Sequence, residues 1–130
     1  MTRRLLGALV VALALAAPAA GGGPAMLLGV AEDSVRSTDP LVVRGRLALL
    51  RLAGFDSVRV SSNWTPGEVA PTPLELRILG NVAFAAELTG IRVVLSVYQP
   101  GSRTTPVTPE ARAQFAAYVA ALAAALPAVR

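Results

Sequence analysis

Cysteine, histidine and lysine are all missing from this 130-residue sequence. Without cysteine there is no disulfide framework, no thiolate metal site and no thiol nucleophile. Without histidine or lysine there is no Ser-His-Asp triad, no imidazole ligand set and no Schiff-base amine. Only carboxylates, tyrosines and arginines are left to do chemistry, so neither a metal nor a cofactor is expected. Aromatic residues make up 5% of the chain, with a single tryptophan, so each one must be either core or ligand platform. Basic charge comes from arginine alone, giving a net +4. Arg3 and Arg4 hold about half of that excess, and the other arginines are scattered rather than clustered. A nucleic-acid surface is therefore not expected.

What is present begins with an export pattern. Arg3-Arg4 forms a positive start, Leu5 to Ala17 an apolar run, and Ala17-Pro18-Ala19 an A-x-A cleavage site. The run is short for a bilayer span and Pro18 interrupts it. The reading is a signal peptide over residues 1–20, a flexible joint over 21–25 that contains Gly21-Gly22-Gly23-Pro24, and one folded domain over 26–130. It implies a secreted protein with no stable membrane insertion after cleavage.

The folded part alternates apolar runs with capped amphipathic stretches. Met26 to Ala31 reads as strand one, with Glu32-Asp33-Ser34 at its carboxyl end. Asp39-Pro40 opens a helix whose Val43, Leu47 and Leu50 share a face, and Gly54 closes it. Val58 and Val60 flank Arg59 in strand two, and Asn63-Trp64 follow where that strand ends. Thr72-Pro73-Leu74-Glu75 is a capping box with proline at the first helical position, and Gly90 stops that helix. Ile91 to Val97 is strand three. Thr108-Pro109-Glu110 starts a last helix along which Ala111, Phe115, Tyr118, Leu122 and Leu126 recur. The order βαβαβα implies a parallel sheet with right-handed crossovers. A doubly wound sheet and the opening of a (β/α)8 barrel both satisfy it. No G-x-G-x-x-G follows strand one and no P-loop is present, which argues against a nucleotide site. Three units cannot close a barrel, so open sheet edges make self-association an expected behaviour.

In either architecture the site lies at the carboxyl ends of the strands. Asp39, Glu75 and Glu110 are helix-start carboxylates and Asp56 sits at the wrong end. The candidates left for substrate binding are Glu32, Arg59, Asn63, Trp64 and Tyr98, with Asp33, Glu68, Gln99 and Arg103 nearby. Arg59 is expected to face the interior the sheet encloses, where it must be hydrogen-bonded or paired. Its fork of donors would suit a carboxylate or sugar hydroxyls. Trp64 is either a sugar-stacking platform or a cap on the core. Asn63-Trp64-Thr65 also matches a glycosylation sequon, read as a chance match.

The runs V-R-V-S-S-N-W and G-I-R-V-V-L-S-V-Y, with L-L-G-V-A-E-D before them and S-R-T-T-P-V-T-P-E after, resemble secreted actinobacterial cellulase-family glycosyl hydrolases of the retaining (β/α)8 clan. The resemblance implies an α/β chain that holds the first three βα units of a TIM barrel, preceded by a signal peptide. It implies that Arg59 supports the nucleophilic carboxylate, and that Tyr98 stands where a histidine commonly ends strand three. The family's acid/base glutamate, in an Asn-Glu-Pro motif after strand four, and its nucleophile after strand seven would both lie past Arg130. Retaining hydrolysis needs two carboxyl groups about 5 Å apart, so this chain alone is expected to be inactive, with no catalytic residue of its own. The alternative is a non-catalytic carbohydrate-binding module that uses Arg59, Trp64 and Tyr98.

Overall fold

The computed structural model describes residues 26–101, 106–127 and 129. The expected leader and joint lie outside them, as does Arg103. Strands β1 (Gly29–Ala31), β2 (Ser57–Asn63) and β3 (Arg92–Tyr98) alternate with helices α1 (Pro40–Leu52), α2 (Pro73–Thr89) and α3 (Pro109–Ala125). A single 3-10 turn, Asp33–Val35, links β1 to α1. The sheet runs β1-β2-β3 and both pairings are parallel. The chain is therefore an α/β protein with a parallel three-stranded sheet.

The helix starts follow the local chemistry. Asp39 accepts from the Leu41 N–H, Thr72 from the Glu75 N–H and Thr108 from the Ala111 N–H, each with proline at the next position. Gly54 and Gly90 end the first two helices at φ values of 92° and 69°, in the left-handed region where a side chain would be strained. Strand β1 is shorter than the apolar run suggests and begins only at Gly29. A Cβ on Gly29 would meet Ser57 Oγ across the ladder, so any side chain here would have to displace the Ser57 hydroxyl.

All three helices pack on one face of the sheet. Val43 and Leu47 of α1, Leu79, Val82 and Ala86 of α2, and Tyr118 and Leu122 of α3 join Val58, Val60 and Val93 in one buried cluster. Because side chains alternate along a strand, the other face carries Arg59, Ser61 and Asn63 from β2 and Arg92, Val94, Ser96 and Tyr98 from β3. Among the described residues no helix covers that face. Parallel sheets are ordinarily buried on both sides, so a one-sided parallel sheet is the main departure of this fold from common practice.

Candidate functional site

The length mismatch between β1 and β2 sets up the carboxyl end of the sheet. On β2, Ser57, Arg59 and Ser61 direct their backbone groups towards β1: the Ser57 N–H donates to the Leu28 carbonyl and the Arg59 carbonyl accepts from the Glu32 N–H. Beyond that point β1 has ended, and the Ser61 N–H would be orphaned. Asp33 meets it with Oδ1 at 2.6 Å. Glu32 turns the other way and accepts from the Ser34 N–H at 2.9 Å. The two neighbouring carboxylates thus point apart and serve the backbone separately. Hydrogen bonding from Ser34 holds Glu32 below the ordinary carboxylate range. Folding therefore favours the ionised form. Its contribution is present above the unfolded value and is lost as pH falls through the lowered one.

Arg59 corrects the expectation attached to it. It is exposed, and among the described residues its guanidinium has no hydrogen-bond or ion-pair partner. Three strands with helices on one side enclose nothing, so the face that would be a barrel interior is open to water and the arginine needs no partner there. Asn63 and Tyr98 stand side by side in register at the carboxyl end, both exposed, Tyr98 at 48%. Ser61 pairs with Ser96 one step below them. The result is a polar strip of Arg59, Ser61, Asn63, Ser96 and Tyr98 across two adjacent strands. Asn63 belongs to the strand itself rather than to the loop after it.

Trp64 takes the core reading. It is fully buried, meets Phe115 edge-to-face with ring centroids 5.3 Å apart, and donates its indole N–H to the Glu68 carbonyl at 2.9 Å. Neither ring face is free for a sugar. The indole instead pins the loop after β2, which Glu68 also ties through the Thr65 N–H and Gln114 through the Gly67 N–H. That loop leaves Asn63 where the strand ends, so Trp64 acts on the strip from beneath.

A second polar constellation, under the helices, is one the sequence pattern hides. Tyr118 on α3 donates to Ser62 on β2 at 3.0 Å, with the Asn63 carbonyl 3.3 Å from the same hydroxyl. Ser62 donates to Glu75 Oε1 at 2.9 Å, and Arg36 donates to Glu75 Oε2 at 2.6 Å. Three elements and the segment just after the 3-10 turn are joined by this chain of donors. Glu75 reads from sequence as a capping-box residue, and the Thr72 side chain does accept from its N–H. Its own carboxylate, however, reaches Ser62 and Arg36 rather than back to the cap. Burial pushes the Tyr118 hydroxyl above the ordinary phenol value, with the bond to Ser62 opposing. Arg36 Nε is buried and has no hydrogen-bond partner among the described residues. The signal for this cluster was available in part: Tyr118 and Ser62 are polar groups at positions whose spacing assigns them to the apolar face.

Among the described residues no group of three or more histidine, cysteine, aspartate or glutamate side chains could hold a metal, and no helix is long and apolar enough to cross a membrane. No protein-family model and no curated protein matches the chain.

Proposed function

We propose that this chain is the amino-terminal part of a secreted glycoside hydrolase, the first three βα units of a (β/α)8 barrel that hydrolyses O-glycosidic bonds in a poly- or oligosaccharide. The observation that carries the reading is the one-sided sheet. A parallel sheet with every helix on one face and a polar strip on the other is what a barrel wall looks like before closure. Asn63 and Tyr98 lie on that strip at the carboxyl ends of β2 and β3, where a barrel enzyme keeps its substrate, and Arg59 lies on the same face nearer the amino end of β2. Arg59 then has a partner to find: a carboxylate from a later strand, held by its planar fork. Glu32, committed to the Ser34 N–H, shapes the rim rather than reacting. The residues in hand bind and orient; the acid/base and nucleophile carboxylates come from later strands. The carbohydrate-binding alternative keeps Arg59 and Tyr98 but loses Trp64 as a stacking surface, because that ring is buried.

The test is the DNA that follows codon 130. An in-frame continuation that encodes an apolar strand and then Asn-Glu-Pro supports the proposal. The product of that longer frame should release reducing sugar from a β-glucan, and Arg59→Ala should lower kcat by about two orders of magnitude or more. A verified stop codon at that point sinks the hydrolase reading for this chain.

A further inference from the structure

In the polar chain under the helices, two hydroxyl hydrogens face three acceptors: Glu75 Oε1, Ser62 Oγ and the Asn63 carbonyl. A serine or tyrosine hydroxyl gives one hydrogen and accepts at its oxygen, whereas an ionised carboxylate can only accept. Glu75 Oε2 is taken by the Arg36 guanidinium at 2.6 Å, so Oε1 is the oxygen left for Ser62, at 2.9 Å. Against an ionised Glu75 the Ser62 hydrogen must therefore go to Oε1. Ser62 then accepts from Tyr118 at 3.0 Å, which commits the single phenol hydrogen. The Asn63 carbonyl, 3.3 Å from the same hydroxyl, receives no hydrogen from the chain.

A proton on Glu75 reverses the direction. Oε2 stays with the guanidinium, so the proton lies on Oε1 and is donated to Ser62. Ser62 Oγ, now the acceptor, turns its own hydrogen to Tyr118, and the Tyr118 hydrogen passes to the Asn63 carbonyl. One proton enters at Glu75; beyond it each hydroxyl keeps its hydrogen and only rotates. Ser62 and Tyr118 are both buried, so solvent offers neither hydroxyl an easy alternative, and low polarity strengthens the bonds they make. Burial raises the Tyr118 hydroxyl above the ordinary phenol value, so it holds its hydrogen wherever a carboxylate titrates. Of the surrounding charges, Arg36 faces Glu75 directly, and Glu68 in the loop after β2 acts on Tyr118 with the same sign as Glu75. On α1, Arg46 turns instead to the Ser34 carbonyl and Arg51 to Asp56.

We infer that Glu75, Ser62 and Tyr118, oriented by Arg36, form a reversible hydrogen-bond relay that carries the protonation state of Glu75 to the backbone of Asn63. Asn63 stands exposed beside Tyr98 at the carboxyl end of β2. The relay thus joins a carboxylate under the helices to the polar strip on the other face. Asp33 already holds the Ser61 N–H two residues before that end, and the acid state adds a second hold at Asn63. The end of β2 is then gripped more tightly in acid than at neutral pH, a switch set by one local protonation. The inference does not rest on the glycosidase reading, and it uses only the residues named.

Triple-resonance NMR on protein labelled with 13C and 15N tests it by reading the Asn63 carbonyl carbon through the Trp64 N–H. On acidification that carbon is expected to move downfield, as a carbonyl does on gaining a donor, with the same midpoint as the Glu75 carboxyl carbon. Glu75→Gln reaches the same state without acid. Arg36 claims the amide oxygen there, so the amide nitrogen faces Ser62 as a permanent donor. The Asn63 carbon of Glu75→Gln is expected downfield of its native position at neutral pH. Tyr118→Phe and Ser62→Ala break two different links, and either one, combined with Glu75→Gln, is expected to abolish that displacement. An Asn63 carbon that ignores both the Glu75 titration and Glu75→Gln overturns the inference. So does a displacement that survives in Tyr118→Phe, because it would be a field effect through space. If Glu75→Gln fails to fold, the native titration decides alone, and if acid unfolds the protein first, Glu75→Gln does.

Discussion

On the helix-bearing side of β2, Val58, Val60 and Ser62 are shut away from water, while on the other side of the same strand Arg59 and Asn63 stand in it. The two serines between and beside those exposed residues are covered, but for local reasons: Gly29 crosses over Ser57, and Asp33 folds onto Ser61. The covered face is held by apolar packing, by one buried tryptophan and by a hydrogen-bonded chain from Arg36 to Tyr118. Among the described residues the bare face carries no helix and is held by its strands and by the bond from the Ser61 N–H to Asp33. Stability should therefore be concentrated on one side of the sheet and binding capacity on the other.

The largest effect expected from that asymmetry is at Trp64. Replacing it with alanine empties the space beside Phe115 and leaves the Glu68 carbonyl without its donor, at a cost of about 3–5 kcal/mol by urea denaturation. A loss near zero would mean that the helix side is not the core. Glu75→Ala comes next. It strands the Arg36 guanidinium and the Ser62 hydroxyl in a largely buried setting, and the bonds to a charged group put the loss at about 2 kcal/mol.

Tyr118→Phe is smaller at neutral pH, about 1 kcal/mol for one buried hydroxyl, but it changes the alkaline limb. The folded state favours the neutral phenol, so that contribution is complete below the unfolded tyrosine value and is lost as pH rises through the raised folded one. The native protein should thus lose stability above roughly pH 10 more steeply than the phenylalanine variant. Parallel curves would show that the hydroxyl is not buried. Arg59→Ala should be the mildest, within about 0.5 kcal/mol by the same titration, as for a surface site with no partner. A loss above about 2 kcal/mol would place a hidden partner against the guanidinium and close the bare face.

Much of the architecture was legible because its signals are local. Asp39-Pro40, Thr72-Pro73 and Thr108-Pro109 announce helix starts by capping chemistry that operates within four residues. Gly54 and Gly90 announce the ends in the same way. What was not legible depends on which side of the sheet the helices choose together. Alternation places Arg59 opposite Val58 and Val60, but cannot say whether that opposite side is an interior. Trp64 was ambiguous for a related reason, since one indole at a strand end serves as platform or plug according to whether α3 reaches it. Phe115 does reach it. Glu75 was hidden by its own motif, because a glutamate three residues after a cap threonine already has a local explanation. The partner that claims it, Arg36, lies 39 residues earlier, just after the 3-10 turn.

The absence of cysteine makes the central claim directly measurable. Val93 and Val94 are neighbours on β3 that alternation sends to opposite faces, Val93 into the core and Val94 onto the bare side. Single Val93→Cys and Val94→Cys variants, treated under native conditions with a disulfide reagent such as DTNB, report each face in turn. A covered face and a bare face predict that Cys at 94 reacts at a rate close to that of the unfolded chain, while Cys at 93 reacts only as fast as the protein opens. Equal protection at both positions would contradict the account, since it would mean that something packs against the side carrying Arg59.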